Sequence, residues 1–170
     1  MNMMKRIRTF LCIVLISIFY MSFVNGSEKK IDTTAYLYKV GARQVKILKN
    51  SEENIAELNY PVIIKNNRSL CSFSSSPSVS ILPGNIAVDY DVIAKSIIIR
   101  IRDEQGNKLV FFVESNEAYF NDVKIIMDVT PLQIKEKGGS YTLIPIRYTY
   151  EPFGYTVEWN NETREITASK

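Results

Sequence analysis

The sequence predicts an α+β fold: antiparallel sheet with two or three short helices, built from two related half-repeats. Three observations carry this. Short apolar runs alternate with polar residues at a period of two and are broken by turn residues. A few segments carry helix-start and helix-stop chemistry instead. The chain also matches itself at an offset of about 70 residues. Asn59-Tyr60-Pro61 aligns with Val129-Thr130-Pro131, Gly84 with Gly154, Val88 with Val157, Tyr90 with Trp159 and Ile97 with Ile166.

The elements follow in order. Tyr36 to Val40 and Gln44 to Leu48 read as a hairpin around Gly41-Ala42-Arg43. Ser51 to Leu58 opens on a capping serine followed by Glu52 and Glu53, which predicts one or two turns of helix. Ser76 before Pro77 predicts another short helix, stopped by Pro83-Gly84, with serine-rich Ser74 to Ser80 as a flexible connection and cap. Asn85 to Asp91 and Lys95 to Arg102 form a hairpin. Lys108 to Glu114, Ala118 to Phe120 and Val123 to Asp128 continue as strands, joined at Asn121-Asp122. In the second half, Pro145 suits the first helical position, because its missing N–H has no partner there anyway. Ile146, Tyr150 and Phe153 fall on one helix face. Gly154 is placed to end that helix in the left-handed conformation. Pro152 lies in its last turn, where it removes a donor and crowds the preceding turn, so the helix should be short or kinked. Tyr155, Val157 and Trp159 then alternate with polar residues, placing the aromatic side inward. Asn160 to Thr163 turns, and Arg164 to Ala168 returns as the partner strand.

The N-terminal segment has its own chemistry. Lys5, Arg6 and Arg8 precede an apolar run from Thr9 to Val24, and Val24-Asn25-Gly26 fits a cleavage site before Ser27. The run is shorter than the ~20 residues of a membrane-spanning helix, so a secretory leader is expected. The organisation is then a leader over 1–26, a polar tail over 27–34 and one domain over 35–170, with half-repeats at about 35–102 and 103–170. Removing the leader takes three basic residues and no acid, and the net charge of +3 falls to zero. A neutral chain argues against nucleic acid as a partner and against electrostatic capture by a membrane, which it would meet only transiently through the leader. Cys71 alone remains after cleavage, so no intrachain disulfide is expected. It reads as a small buried hydrophobe, and the chain has no histidine to activate a thiol. Asn67-Arg68-Ser69 and Asn161-Glu162-Thr163 are read as turns.

The second half carries a more specific pattern. Asn121-Asp122-Val123, Ile125 to Pro131, Gly138-Gly139-Ser140, Leu143-Ile144-Pro145-Ile146-Arg147, Glu151-Pro152-Phe153-Gly154 and Val157-Glu158-Trp159 occur in that order. This resembles the copper amine oxidase N-terminal-like domain family, with Pro145, Arg147, Glu151, Gly154 and Trp159 as its structural signature. The first half matches in outline only, from Pro61 to Ile99. The resemblance implies a secreted or cell-surface stalk-type module of the bacterial envelope, non-catalytic and without a cofactor, and a secreted, disulfide-free chain rich in Lys, Ile and Asn fits a Gram-positive type bacterium. Its expected partner is a cell-wall polymer or another surface protein. Copper is not expected, because copper sites need imidazole ligands. Asn59-Tyr60-Pro61 does not match the tyrosine context from which the oxidase quinone forms.

Tyr148, Tyr141 and Arg147 are the candidate contact surface. Arg147 and Glu151, four apart, are expected to form an ion pair that pins the helix to the sheet. Two alternatives rest on other residues. Asp89 and Asp91 share a strand face and could serve a carboxylate-dependent hydrolase of wall glycans. Ile97 to Ile101 could act as an edge strand that pairs between chains in an oligomer.

Overall fold

The computed structural model describes residues 34–73, 81–91 and 96–170, without the side chains of Val88 and Tyr90. The expected leader, the tail up to residue 33, the Ser76-Pro77 helix start, the serine-rich connection and the 92–95 turn lie outside the described residues. The described chain is largely β. It has fourteen strands and a single helix of five residues, so the expected α+β class with two or three helices is corrected.

The chain starts with β1 (Thr34–Lys39), β2 (Gln44–Lys49) and β3 (Glu52–Glu57), then β4 (Ile63–Lys65) and β5 (Arg68–Ser72). A run of five follows: β6 (Asn85–Asp91), β7 (Ser96–Arg102), β8 (Lys108–Phe112), β9 (Glu117–Phe120) and β10 (Val123–Ile126). Next come β11 (Leu132–Glu136), β12 (Gly139–Pro145), helix α1 (Ile146–Tyr150), a 3-10 turn over Glu151–Phe153, and β13 (Thr156–Asn160) and β14 (Glu165–Ser169). All pairings are antiparallel and form three sheets, ordered β13-β14-β1-β2-β3, β10-β9-β8-β7-β6 and β11-β12-β5-β4. The two five-stranded sheets share one plan. In each, a three-strand meander receives, beside its first strand, a hairpin from the other half of the chain. The third sheet sets β5 against β12 at its centre, with Cys71 opposite Ile144.

Alternation decides which side chains enter the core. Tyr36 and Tyr38 of β1, Val45 and Ile47 of β2, Ile99 and Ile101 of β7, Leu109 and Phe111 of β8, and Ile166 and Ala168 of β14 all point inward and are buried. They meet Ile144, Ile146, Tyr150 and Phe153 in one cluster that takes in residues of all three sheets and α1. Each large aliphatic side chain withdrawn from water there contributes roughly 1.5–3 kcal/mol. The other face of the third sheet carries a second cluster, with Leu70, Val129 and Leu143 at its centre and Tyr60, Tyr141 and Tyr148 packed against it.

Two further expectations are corrected. The Ser51 to Leu58 segment forms a turn residue and strand β3 (Glu52–Glu57), not helix. Asn50 and Ser51 take φ values of 52° and 71°, a two-residue turn with both centres left-handed, the form that suits a hairpin. The chain thus folds back on β2 in register from Lys49↔Glu52 to Gln44↔Glu57. A one- or two-turn helix cannot compete with that ladder, because its nucleation is costly. Ile97 to Ile101 lies in β7, which pairs with β6 on one side and β8 on the other. Its backbone groups are already taken, so it offers no edge. Smaller features agree with the pattern. Asn121 and Asp122 are left-handed at φ 48° and 65°. α1 stops after five residues as Pro152 enters the 3-10 turn, and Gly154 caps it at φ 81°. Pro145 ends β12 as the N-cap residue, one place earlier than the first helical position.

Candidate functional site

Helix α1 divides the candidate contact residues between two places. Arg147 projects to one of them. Its Nη1 pairs with Glu151 Oε1 at 3.2 Å, and its Nη2 donates to the Val157 carbonyl at 3.2 Å. The helix is therefore tied to β13 by one side chain held at both ends of its fork. The ion pair itself is exposed and contributes little; the bond to the backbone sets the angle of the helix.

Beside Arg147 lies an open groove of about 370 Å³. Val157 is buried, but Trp159, two residues along the same face of β13, is 43% exposed. The periodicity puts Trp159 on the core side, opposite buried Ile166. β13 is an edge strand and Trp159 sits near its end, so part of the indole is left in solvent. Pro145 and Ile64 add apolar surface to the groove, and Asn67, Asn161 and Ser69 add polar groups. Arg68 enters from β5. Its Nε donates to Asp128 Oδ1 at 3.0 Å, its Nη2 bonds to the second carboxylate oxygen, and its Nη1 donates to the Asn67 carbonyl at 3.2 Å. Asn66 and Asn67 are both left-handed, at φ 50° and 57°, which closes the β4–β5 turn that brings this corner to Trp159.

Tyr148 and Tyr141 do not line this groove; both pack on the second cluster. The Tyr148 hydroxyl donates to Asp128 Oδ1 at 3.2 Å and accepts the Asp128 N–H at 3.3 Å. The Arg68 guanidinium, helped by the Tyr148 hydroxyl, holds the Asp128 carboxyl below its ordinary value. Tyr141 stacks obliquely on Tyr60 at 5.2 Å, and the Tyr60 hydroxyl donates to Glu136 Oε1 at 2.9 Å. Tyr141 borders a shallow opening with Arg43 and Asn59. Of the signature residues, Pro145, Arg147 and Trp159 meet at the groove, Glu151 anchors Arg147, and Gly154 ends the helical segment. The sequence marks Trp159 as a structural signature residue and Asn67-Arg68-Ser69 as a turn, and it assigns neither to a contact surface.

The remaining reactive groups are engaged structurally. Asp89 forms an ion pair with Arg100 across the β6–β7 hairpin, so it is held as a salt-bridged surface carboxylate. Tyr38 and Tyr150 are fully buried with their hydroxyls 2.6 Å apart, and they share the Ile81 carbonyl as acceptor. Burial pushes both phenols well above their ordinary range, and it pushes the Cys71 thiol beside Tyr38 up to about 12. A thiol so placed stays protonated and inert. The residues do not fit copper. The chain has no histidine, and the described residues bring no three metal-ligating side chains together.

No curated protein and no solved structure matches the chain. A family model described as Copper amine oxidase N-terminal domain matches residues 61–168, more than half of it.

Proposed function

Because the chain belongs to the copper amine oxidase N-terminal domain family, we propose that it works as a non-catalytic binding module, exported to the cell envelope. The family is one of non-catalytic modules, and the basic and apolar N-terminal segment supports export. One observation carries the binding reading. The only tryptophan of the chain is half exposed in an open groove, where Arg147 and Arg68 are already fixed by bonds to neighbouring groups. Aromatic side chains with a free face and pre-oriented polar neighbours are what small recognition sites are made of. The partner is a wall polymer or a surface protein.

The test is co-sedimentation of purified residues 27–170 with isolated cell walls, before and after wall proteins are stripped. Retention in the pellet supports the reading, and loss on stripping identifies a protein partner. A protein that stays in the supernatant in both preparations overturns it.

A further inference from the structure

We propose that the groove beside Trp159 recognises an uncharged glycan, with one sugar ring stacked on the indole. This rests on the binding-module reading and names the ligand class of the same site.

The chemistry of the groove selects for a neutral polyhydroxylated ligand. Trp159 leaves 43% of its surface in water at the groove, and exposed indole surface favours a flat patch of C–H groups such as a pyranose ring presents. Around it stand groups that bond hydroxyls in either direction. The Asn67 and Asn161 amides both donate and accept, and so does the Ser69 hydroxyl. A polyanion finds less here than the two arginines suggest. Arg68 is neutralised by Asp128 and Arg147 by Glu151, while Glu158 adds a further negative charge to the lining. Both guanidinium groups spend donors on protein oxygens, yet each is held rigidly enough to offer the rest to a sugar hydroxyl. The groove is open, so a chain can lie along it, and its volume falls among those of small-ligand sites. A polypeptide partner would have to bury charged Glu158 and the exposed ion pairs beside the indole. A hydrated sugar leaves them wet.

The chain supplies its own reporter, since Trp159 is its single tryptophan. The emission of the unmodified protein is followed during titration with hexamers of N-acetylglucosamine, glucose and mannose, and with polygalacturonate as the anionic arm. The expected result is a saturable change in emission, with protection from acrylamide quenching, for at least one uncharged hexamer and none for polygalacturonate. Asn161→Ala should weaken that binding several-fold in the same titration, and Trp159→Ala, which has no tryptophan left to report and is followed by titration calorimetry, at least tenfold. Since Trp159 stands opposite buried Ile166, the quenching measurement on the unmodified protein decides the matter if that variant fails to fold. Silence with all three uncharged hexamers overturns the proposal, as does a response to polygalacturonate that Arg147→Gln abolishes. The two readings fail separately. Wall retention that survives Trp159→Ala sinks the glycan site and leaves the binding module standing. Hexamer binding without wall retention leaves the glycan site standing and overturns the envelope role.

Discussion

Gly84 and Gly154 occupy matching places in the two halves, yet each is glycine for a different physical reason. Gly154 takes φ +81° at the end of the helical segment, where a side chain would strain the backbone. A Cβ on Gly84 would lie 2.3 Å from the Arg102 carbonyl oxygen and 2.8 Å from the Asp103 nitrogen. Those are backbone atoms at the end of β7 and the start of its turn, and they cannot step aside. Gly84→Ala should therefore cost about 1–3 kcal/mol through overpacking, and Gly154→Ala roughly 1–2 kcal/mol through strain, both read from urea unfolding. The buried phenols act at the same scale. Tyr38, Tyr150 and Cys71 have raised values in the fold, so the unfolded chain releases their protons first. Their contribution is complete below the ordinary values of 9.0 for the thiol and 10.0 for the phenols, and is lost as pH rises toward the folded values. Unfolding free energy should be level from neutral pH to about pH 9 and decline above it. Tyr150→Phe leaves Tyr38 its bond to the Ile81 carbonyl, so it should cost only about 1 kcal/mol and make the alkaline decline shallower. A decline unchanged by that variant would mean that other groups govern it.

Single elements show where local chemistry ends and long-range pairing begins. The β2–β3 hairpin turns on Asn50-Ser51, and Ser51 carries φ 71° without being glycine. Ser51→Gly should stabilise the protein by about 1 kcal/mol, measured as a higher thermal midpoint, whereas a helical 51–58 segment would be weakened by the same change. That segment also shows what the sequence hides. A serine followed by two glutamates is good helix-start chemistry, and only the ladder to β2 and the buried Ala56 overrule it. Where a turn dipeptide and alternation agree, as at Asn121-Asp122, the strands were legible. The shortened helix was legible too, because Pro152 and Gly154 act within one turn. The groove was half legible. Arg147 and its ion pair with Glu151 follow from spacing, but Asn67 and Arg68 reach Trp159 only because β5 pairs with β12, and no local pattern announces that pairing. Exposure was hidden for a related reason. Among the described residues the exposed large hydrophobics, Ile55, Ile64, Ile86, Val123, Ile126 and Trp159, all lie on strands at a sheet edge. An inward periodicity does not say whether anything covers the strand end.

At the scale of the whole molecule, β1 and β14 close what β7 and β8 close in the other sheet. β7 and β8 are joined by the Asp103–Asn107 turn, where the Asp103 N–H donates to the Asn107 carbonyl at 3.1 Å. β1 and β14 have no such link, but Thr34 and Lys170 exchange two backbone bonds of 3.0 Å, and the register holds from Ala35↔Ser169 to Lys39↔Glu165. A circular permutant that joins Lys170 to Thr34 by a short glycine–serine linker and opens at Gln105-Gly106 should keep the same circular-dichroism spectrum. Its stability should lie within ~1 kcal/mol of the original, because a short loop is exchanged for a short loop. Loss of cooperative unfolding would show that the 103–107 turn does more than connect. The adjacency of Thr34 and Lys170 has a mechanical consequence as well. Tension applied at these two residues does not shear the β1–β14 ladder along its length; it opens the ladder from its end, one rung after another. Such a unit yields to a gentle pull, and, grafted between two longer chains, it hangs to the side as a pendant while the load passes through its base.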